Sequence, residues 1–299
     1  MGTHREGDVT GEAVIVGVDA TPAGALAAAT GWTVARAAGV PCRVVHVTPT
    51  PSAAPRGGIE PAQPDLIDGL IADARSHVVD ALSGHVPDDV LQTIEVLVGN
   101  PAWELRRVVA DTSAGLLVLG GKHHAPPVRW FGGSTAHNAV RTIDVPVLVA
   151  AAPVQRFSRV LVAIDLSETA EQTLTQAHAF AAMFDAALRV LTVVEPMPAI
   201  PDVGVQSDVG EHYRLAETET RRLVDTIAGT DRTEIRVDSG SPARTIADEA
   251  AAWEADLVVV GSHGKGWVDR VLLGSTTERL LNRLPCSTLV IPAHGPPKA

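Results

Sequence analysis

Cysteine and long apolar runs are both scarce in this sequence. Only two cysteines occur among 299 residues. Cys42 and Cys286 each lie in an apolar stretch, so a disulfide framework is not indicated. No apolar run approaches the roughly 20 residues that a membrane-spanning helix needs, and residues 1–13 lack the apolar core of a secretory signal. We therefore expect a reduced, cytoplasmic protein that does not bind membranes.

Positive charge is also scarce. The chain has 24 Lys and Arg against 35 Asp and Glu, which gives a formal net charge of −11. Broad electrostatic binding to nucleic acid or to anionic membranes needs a basic face, so neither partner is expected. An acidic protein can still bind an anionic ligand through backbone N–H groups and helix dipoles. Glycine loops beside helix starts would carry such a site.

Short runs rich in Val, Ile and Leu alternate with helical patterns along the whole chain. This alternation predicts parallel strands that are covered by helices on both faces. Right-handed crossovers then give a doubly wound α/β sandwich. The predicted strands cover residues 13–18, 42–47, 94–98, 115–119, 145–150, 159–164, 188–193, 234–237, 257–260 and 288–291.

The two halves of the chain repeat one another. Gly120 corresponds to Gly261 and Gly133 to Gly274, and both pairs are separated by the same 141 residues (from 120 to 261 and from 133 to 274). A shared offset of this kind indicates an internal duplication. In both halves the first strand also ends in aspartate before a helix-start signal: Asp19 precedes Thr21 and Pro22, and Asp165 precedes Ser167 and Glu168.

The duplication predicts a short N-terminal tail and two domains. The tail covers residues 1–11, the first domain residues 12–152 and the second domain residues 157–293. The segment between the domains is short, which favours close packing of the two copies over independent movement.

One glycine-rich segment carries the chemistry of the second copy. Residues 261–275 read GSHGKGWVDRVLLGS, leave a predicted buried strand and end at a helix start. Gly261 and Gly264 let backbone amides approach a phosphate chain. The helix that begins near Ser275 presents free N–H groups and the positive end of its dipole. Taken alone, the loop is equally well interpreted as a turn shaped only for chain geometry. It contains neither a Walker A loop nor a dinucleotide fingerprint.

The spacing Gly261-x2-Gly264-x9-Gly274-Ser275 resembles the ATP-binding motif of the universal stress protein family. Further blocks resemble that family as well: Asp165 at the end of a strand, Thr192-Val193, Gly240–Pro242 and the closing PCSTLVIP at 285–292. The resemblance covers both halves apart from the N-terminal tail and the last few residues. It implies two tandem copies of a five-stranded, Rossmann-like parallel α/β sandwich, packed as a pseudo-dimer through their fifth strands.

The resemblance also implies ATP, with or without Mg²⁺, as the ligand of the second copy. Asp165 would lie against the adenosine, and the backbone of Val193 would read the adenine edge. For Asp165 the alternative is a residue that only caps the turn after its strand. The expected ATP-binding residues are Ala163, Asp165, Val193, Val260, Gly261, Gly264, Gly274, Ser275 and Thr276.

The first copy departs from the motif. Its segment 120–134 reads GGKHHAPPVRWFGGS, and His123 replaces the second motif glycine, so that a side chain projects where phosphates would pass. Three alternatives remain open: a lost site, a site redirected to a shorter nucleotide, and a weaker nucleotide site with Asp19, Val47, Gly120, Gly133 and Ser134. No Asp, Glu or Cys with ligand spacing accompanies His123 and His124, and no metal site is expected.

The sequence favours an ATP-binding stress-response regulator over an enzyme. Hydrolysis needs a metal-binding acid near the phosphates and a group that orients water. Asp269 is the only carboxylate in the glycine-rich segment, and no catalytic residue is expected. The alternatives are an adenine-nucleotide hydrolase or transferase of the related superfamily and a nucleotide-free interaction scaffold. The sequence identifies no protein partner and leaves open a homodimer of tandem chains.

Overall fold

A computed structural model describes residues 11–49, 64–121, 135–196, 209–229, 233–263 and 273–293. The chain divides into two compact units between Gln155 and Arg156. Each unit is an α/β fold built on five parallel strands, as the sequence predicts. Among these residues no helix is both long and apolar enough to cross a membrane.

The first unit has the strand order β3-β2-β1-β4-β5. Each strand runs parallel to its neighbours. Its strands are β1 (Val14–Val18), β2 (Cys42–Thr48), β3 (Glu95–Val98), β4 (Leu116–Gly120) and β5 (Val147–Ala150). Its helices are α1 (Pro22–Ala38), α2 (Pro64–Leu82), α3 (Asp88–Gln92), α4 (Pro101–Asp111) and α5 (Thr135–Thr142).

The second unit repeats this topology with the order β8-β7-β6-β9-β10, again with all neighbours parallel. Its strands are β6 (Arg159–Ile164), β7 (Ala187–Val194), β8 (Thr233–Ser239), β9 (Leu257–Gly261) and β10 (Ser287–Ile291). Its helices are α6 (Ala170–Phe184), α7 (Val209–Ile227), α8 (Pro242–Ala252) and α9 (Ser275–Arg283).

The central strands are apolar along their whole length because helices cover both faces of each sheet. Every residue of β1 is buried, and β9 is buried up to its last residue. Since all strands of a unit run parallel, their carboxyl ends meet at one edge of the sheet. Open α/β sheets bind ligands at this edge.

One predicted helix start is correct and its counterpart in the second unit is wrong. Helix α1 begins at Pro22 with Thr21 as N-cap. Helix α6 begins only at Ala170, so the start predicted at Ser167 and Glu168 is too early. The Ser167 amide donates to Asp165 Oδ1 at 3.1 Å, and Leu166 has φ of 59°. The chain therefore makes a turn at this point before it becomes helical.

Both cysteines are free and half-buried. Burial raises the pKa of the Cys42 thiol and of the Cys286 thiol to about 12. Both side chains are therefore neutral thiols at physiological pH.

Candidate functional site

A cavity of about 590 Å³ opens at the carboxyl edge of the second unit's sheet. It lies where β6, β7 and β9 end and where α6, α8 and α9 begin, and its volume is that of a small-molecule site. The predicted site residues that the structure describes in this unit all line it, namely Ala163, Asp165, Val193, Val260, Gly261, Gly274, Ser275 and Thr276. Gly264 lies outside the described residues.

Two hydrogen bonds join the ends of the glycine-rich segment. Thr277 Oγ1, in the first turn of α9, donates to the carbonyl oxygen of Gly261 at 2.7 Å. The amide of Gly274 donates to the carbonyl oxygen of Ser262 at 2.8 Å. Together they hold the start of α9 beside the end of β9, so that Gly261 and Ser275 face the same cavity.

The three helices that begin at the cavity receive no hydrogen bond from an N-cap side chain. Gly274 precedes α9 and has no side chain with which to cap it. Thr169 precedes α6 and Ser241 precedes α8, and neither side chain caps its helix. A helix N-terminus carries backbone N–H groups without an intrahelical partner and a partial positive charge. Three such ends at one cavity favour an anionic ligand.

The Thr169 hydroxyl is engaged elsewhere. It donates to the carbonyl oxygen of His263 at 3.4 Å and lies 3.0 Å from the Ser167 hydroxyl. A Cβ added to Gly261 would lie 3.1 Å from the His263 oxygen and 3.3 Å from Thr173 Oγ1. Glycine at position 261 therefore lets α6 and the chain after β9 approach one another closely.

Asp165 caps the turn after β6, which is one of the two roles considered from the sequence. Its carboxylate accepts the Ser167 amide in the turn after β6, and the residue also lines the cavity and is half-buried. Capping the turn orients the carboxylate at the cavity wall, so the two roles are compatible.

Helix α7 forms one wall of the cavity, and this wall was not predicted from the sequence. His212, Leu215, Ala216 and Glu219 line the cavity, with the spacing i, i+3, i+4 and i+7 of one helix face. The spacing is visible in the sequence, but nothing there shows that this face points toward the nucleotide motif.

The first unit differs at the corresponding positions. A Cβ added to Gly120 would lie 2.3 Å from the carbonyl oxygen of Ala23, because the first turn of α1 packs directly on the end of β4. The Thr21 hydroxyl donates to the Asp19 carboxylate and accepts the Gly24 amide at 3.4 Å. Asp19 is thus bonded within its own turn.

Helix α4 of the first unit is also capped. The Asn100 side chain accepts the amides of Ala102 and Trp103 at 3.1 and 3.3 Å. Of the other residues predicted for a weaker site, Val47 is a buried residue of β2, while Gly133 and Ser134 lie outside the described residues. Side chains therefore cap α1 and α4 of the first unit, whereas no side chain caps α6 or α8 of the second unit. In α6 and α8 the amides of Ala170 and Arg244 bond instead to the carbonyl oxygens of Ser167 and Ser241, both at 3.0 Å.

The part of the chain that the structure describes contains no group of three or more His, Cys, Asp or Glu side chains able to hold a metal ion. His123 and His124 lie outside that part.

Comparison with known proteins identifies the family. The model of the universal stress protein family matches the chain twice, over residues 12–151 and 156–292. A universal stress protein of Synechocystis is 29% identical over 150 residues, covering 45% of this chain and 97% of its own. One from Methanocaldococcus jannaschii is 28% identical over 139 residues, covering 45% of this chain and 82% of its own.

Among solved structures, a universal stress protein from Archaeoglobus fulgidus matches 94% of this chain and 98% of its own, with a TM-score of 0.64 at 18% identity. At that identity the likeness shows the fold alone. Since the family model matches nearly the whole chain in two successive copies, the chain belongs to the universal stress protein family and is a tandem member of it.

Proposed function

We propose that the second unit binds an adenine nucleotide, ATP with its Mg²⁺ ion, and that the protein acts as a nucleotide-dependent regulator in the stress response. The observation that carries this proposal is the cavity at which three helices begin without capping side chains. Such a site attracts an anion through backbone dipoles, which suits a chain of net charge −11.

The two ends of the cavity differ in chemistry. At one end lie Gly261, Gly274 and the exposed Ser275, where the first backbone amides of α9 and the Ser275 hydroxyl can donate to phosphate oxygens. Toward the ends of β6 and β7 the lining includes the buried apolar side chains of Ile164 and Leu191, with the polar residues Asp165, Thr192 and Glu195 beside them. A nucleotide fits this asymmetry with its phosphates at α9 and its base beside β7. The family resemblance assigns the adenine edge to the backbone of Val193.

We further propose one nucleotide per chain. In the first unit the first turn of α1 packs on Gly120, and Thr21 and Asn100 bond to the first amides of α1 and α4. In the second unit no side chain caps α6, α8 or α9, so a ligand there does not compete with a capping side chain. The first unit then contributes to the function of the protein through its fold or its protein contacts, and not by binding a nucleotide.

The proposed activity is binding and not hydrolysis. The carboxylates that line the cavity among the described residues are Asp165, Glu195 and Glu219. They lie at the ends of β6 and β7 and on α7, which is the end that the proposal gives to the adenosine, away from the phosphates. Mg²⁺ would bind as part of the Mg-ATP complex, in which it neutralises charge on the phosphates. A bound nucleotide would then act by changing the conformation or the choice of partner.

The test is titration calorimetry of Mg-ATP into the intact chain and into Ser275→Asp and Ser275→Asn variants. Aspartate suits the first turn of a helix, so both variants should fold. A carboxylate beside the phosphates should weaken ATP binding at least a hundredfold, while the uncharged, similarly sized asparagine should weaken it about tenfold or less.

We expect one equivalent of ATP per chain and no phosphate release above the rate in buffer. Two equivalents would contradict the single site. Steady turnover would favour a hydrolase. No binding at millimolar ATP, with carried-over nucleotide excluded, would leave the interaction scaffold as the better proposal.

A further inference from the structure

The α7 wall of the cavity contains an exposed apolar side chain. Leu215 is 59% exposed and lines the cavity. Among the described residues, Trp103 is the only other large hydrophobic side chain that is exposed. An exposed leucine on a convex surface needs no explanation, but one at the mouth of a ligand cavity is a contact surface that a ligand can cover.

Helix α7 is held firmly in place beside the cavity. The Tyr213 hydroxyl donates to the carbonyl oxygen of Val237 in β8. The Thr220 hydroxyl lies 2.8 Å from the Thr192 hydroxyl, in the buried contact between α7 and β7. These two bonds flank Leu215 along the helix and attach the part of α7 that carries it to β7 and β8.

We propose that Leu215 is a specificity-determining residue that covers one face of the nucleobase and favours purine over pyrimidine nucleotides. The inference rests on the proposed function, which places the phosphates at α9 and the base at the opposite end beside β7. There the apolar lining residues Ile164, Leu191 and Ala216 are buried, whereas Leu215 stands at the solvent side.

A purine ring inserted at this end would have the strand ends on one side and Leu215 on the other. The free energy gained by covering Leu215 grows with the apolar area that the ring removes from water. A double ring covers more of that area than a single ring does, so the contact discriminates by size. This discrimination by size needs no hydrogen bond between a polar side chain and the base.

The experiment measures the dissociation constants of Mg-ATP and Mg-UTP for the intact protein and for Leu215→Ala and Leu215→Met. We expect wild-type protein to prefer ATP. In Leu215→Ala the affinity for ATP should fall about tenfold and that for UTP about twofold, so the preference narrows about fivefold. Leu215→Met keeps an apolar cover and should retain most of the preference.

Thr218→Ala is the matched control, because Thr218 is exposed on α7 and does not line the cavity. Thermal unfolding of each variant checks the fold. Equal losses for ATP and UTP in Leu215→Ala, no loss for either, or equal wild-type affinities would overturn the role of Leu215 while leaving nucleotide binding intact. Failure of wild-type protein to bind either nucleotide would instead overturn the proposed function and this inference with it.

Discussion

Thr277 and Gly261 are joined by a 2.7 Å hydrogen bond from the threonine hydroxyl to the glycine carbonyl oxygen. Thr277 is 3% exposed and Gly261 is half-buried, so this partly buried bond ties the first turn of α9 to the last residue of β9. The two residues stand at the two ends of the glycine-rich segment. Their bond sets the distance between the strand end and the helix start that the proposed nucleotide would bridge.

Thr277→Val should therefore destabilise the protein and weaken ATP binding. Valine keeps the shape but leaves the Gly261 carbonyl without this donor, which should lower the free energy of unfolding by about 1–2 kcal/mol. ATP affinity should fall several-fold because the start of α9 is less well positioned. Denaturant unfolding and calorimetry measure the two effects. Thr142→Val is the control, since its hydroxyl bonds within the exposed face of α5; equal effects in both variants would contradict the argument.

The two corresponding glycines, Gly120 and Gly261, should respond differently to alanine. In the first unit the added Cβ would meet the Ala23 carbonyl oxygen at 2.3 Å, so Gly120→Ala should destabilise by about 1–3 kcal/mol and leave ATP binding by the folded protein unchanged. At Gly261 the nearest atom is 3.1 Å away. Gly261→Ala should therefore fold with a loss of about 1 kcal/mol, but bind ATP at least tenfold more weakly. Denaturant unfolding and calorimetry of both variants check these expectations. Weaker ATP binding in Gly120→Ala, or unchanged ATP binding in Gly261→Ala, would contradict the placement of the nucleotide site in the second unit.

A buried ionic cluster at the opposite end of the second unit should control stability without affecting the cavity. Glu249 in α8 is 5% exposed, and its two carboxylate oxygens lie 2.5 Å from Arg189 and 2.9 Å from Arg236. Arg189 also stacks on Trp253, with its guanidinium carbon 4.3 Å from the ring centroid. Glu249→Gln leaves Arg189, which is 13% exposed, with the exposed Glu234 as its remaining ionic partner, so it should lower the unfolding free energy by about 2 kcal/mol.

The matched control for this cluster is Glu234→Gln. Glu234 also pairs with Arg189, at 2.6 Å, but its side chain is 59% exposed, and its loss should cost about 1 kcal/mol or less. Denaturant melts distinguish the two variants, and both should keep wild-type ATP affinity at temperatures where they are folded. A Glu249→Gln variant as stable as wild type would mean that the cluster contributes no net stability.

The raised pKa values of Cys42 and Cys286 predict a loss of stability in alkali. Above about pH 9, the ordinary pKa, the unfolded chain releases its thiol protons while the folded chain keeps them up to about pH 12. The unfolding free energy should therefore fall with rising pH in this window, by about 1.4 kcal/mol per pH unit for each cysteine. A Cys42→Ala, Cys286→Ala double variant should lack that part of the slope. Rapid reaction of the native thiols with Ellman's reagent at pH 8 would contradict the burial.

Most of the strands could be predicted from the sequence because they are apolar runs with sharp ends; β8, with the sequence TEIRVDS, is an exception. The run at 159–164 became β6 with identical bounds, and the Gly261 and Ser275 ends of the nucleotide motif came together as expected. These features depend on local composition and on the spacing of a motif, and both can be recognised in the amino-acid sequence alone.

The remaining features depend on contacts that sequence spacing does not show. Helix α6 starts late because a bond from Ser167 to Asp165 and a left-handed Leu166 form a turn before it. The α7 wall exists because Tyr213 and Thr220 dock that helix against β8 and β7, which turns Leu215 toward the cavity. The packing of Ala23 on Gly120 likewise became visible only in three dimensions.

The helix starts around the cavity have a consequence for the energetics of the second unit. A missing N-cap costs a helix about 1 kcal/mol, and a nucleotide that supplies the acceptors restores that stability from outside the chain. Ligand at a hundred times its dissociation constant adds about 2.7 kcal/mol to the folded state. Nucleotide would then raise the melting temperature of the second unit and not that of the first. The stability of only one half of the chain would therefore depend on the ATP concentration in the cell.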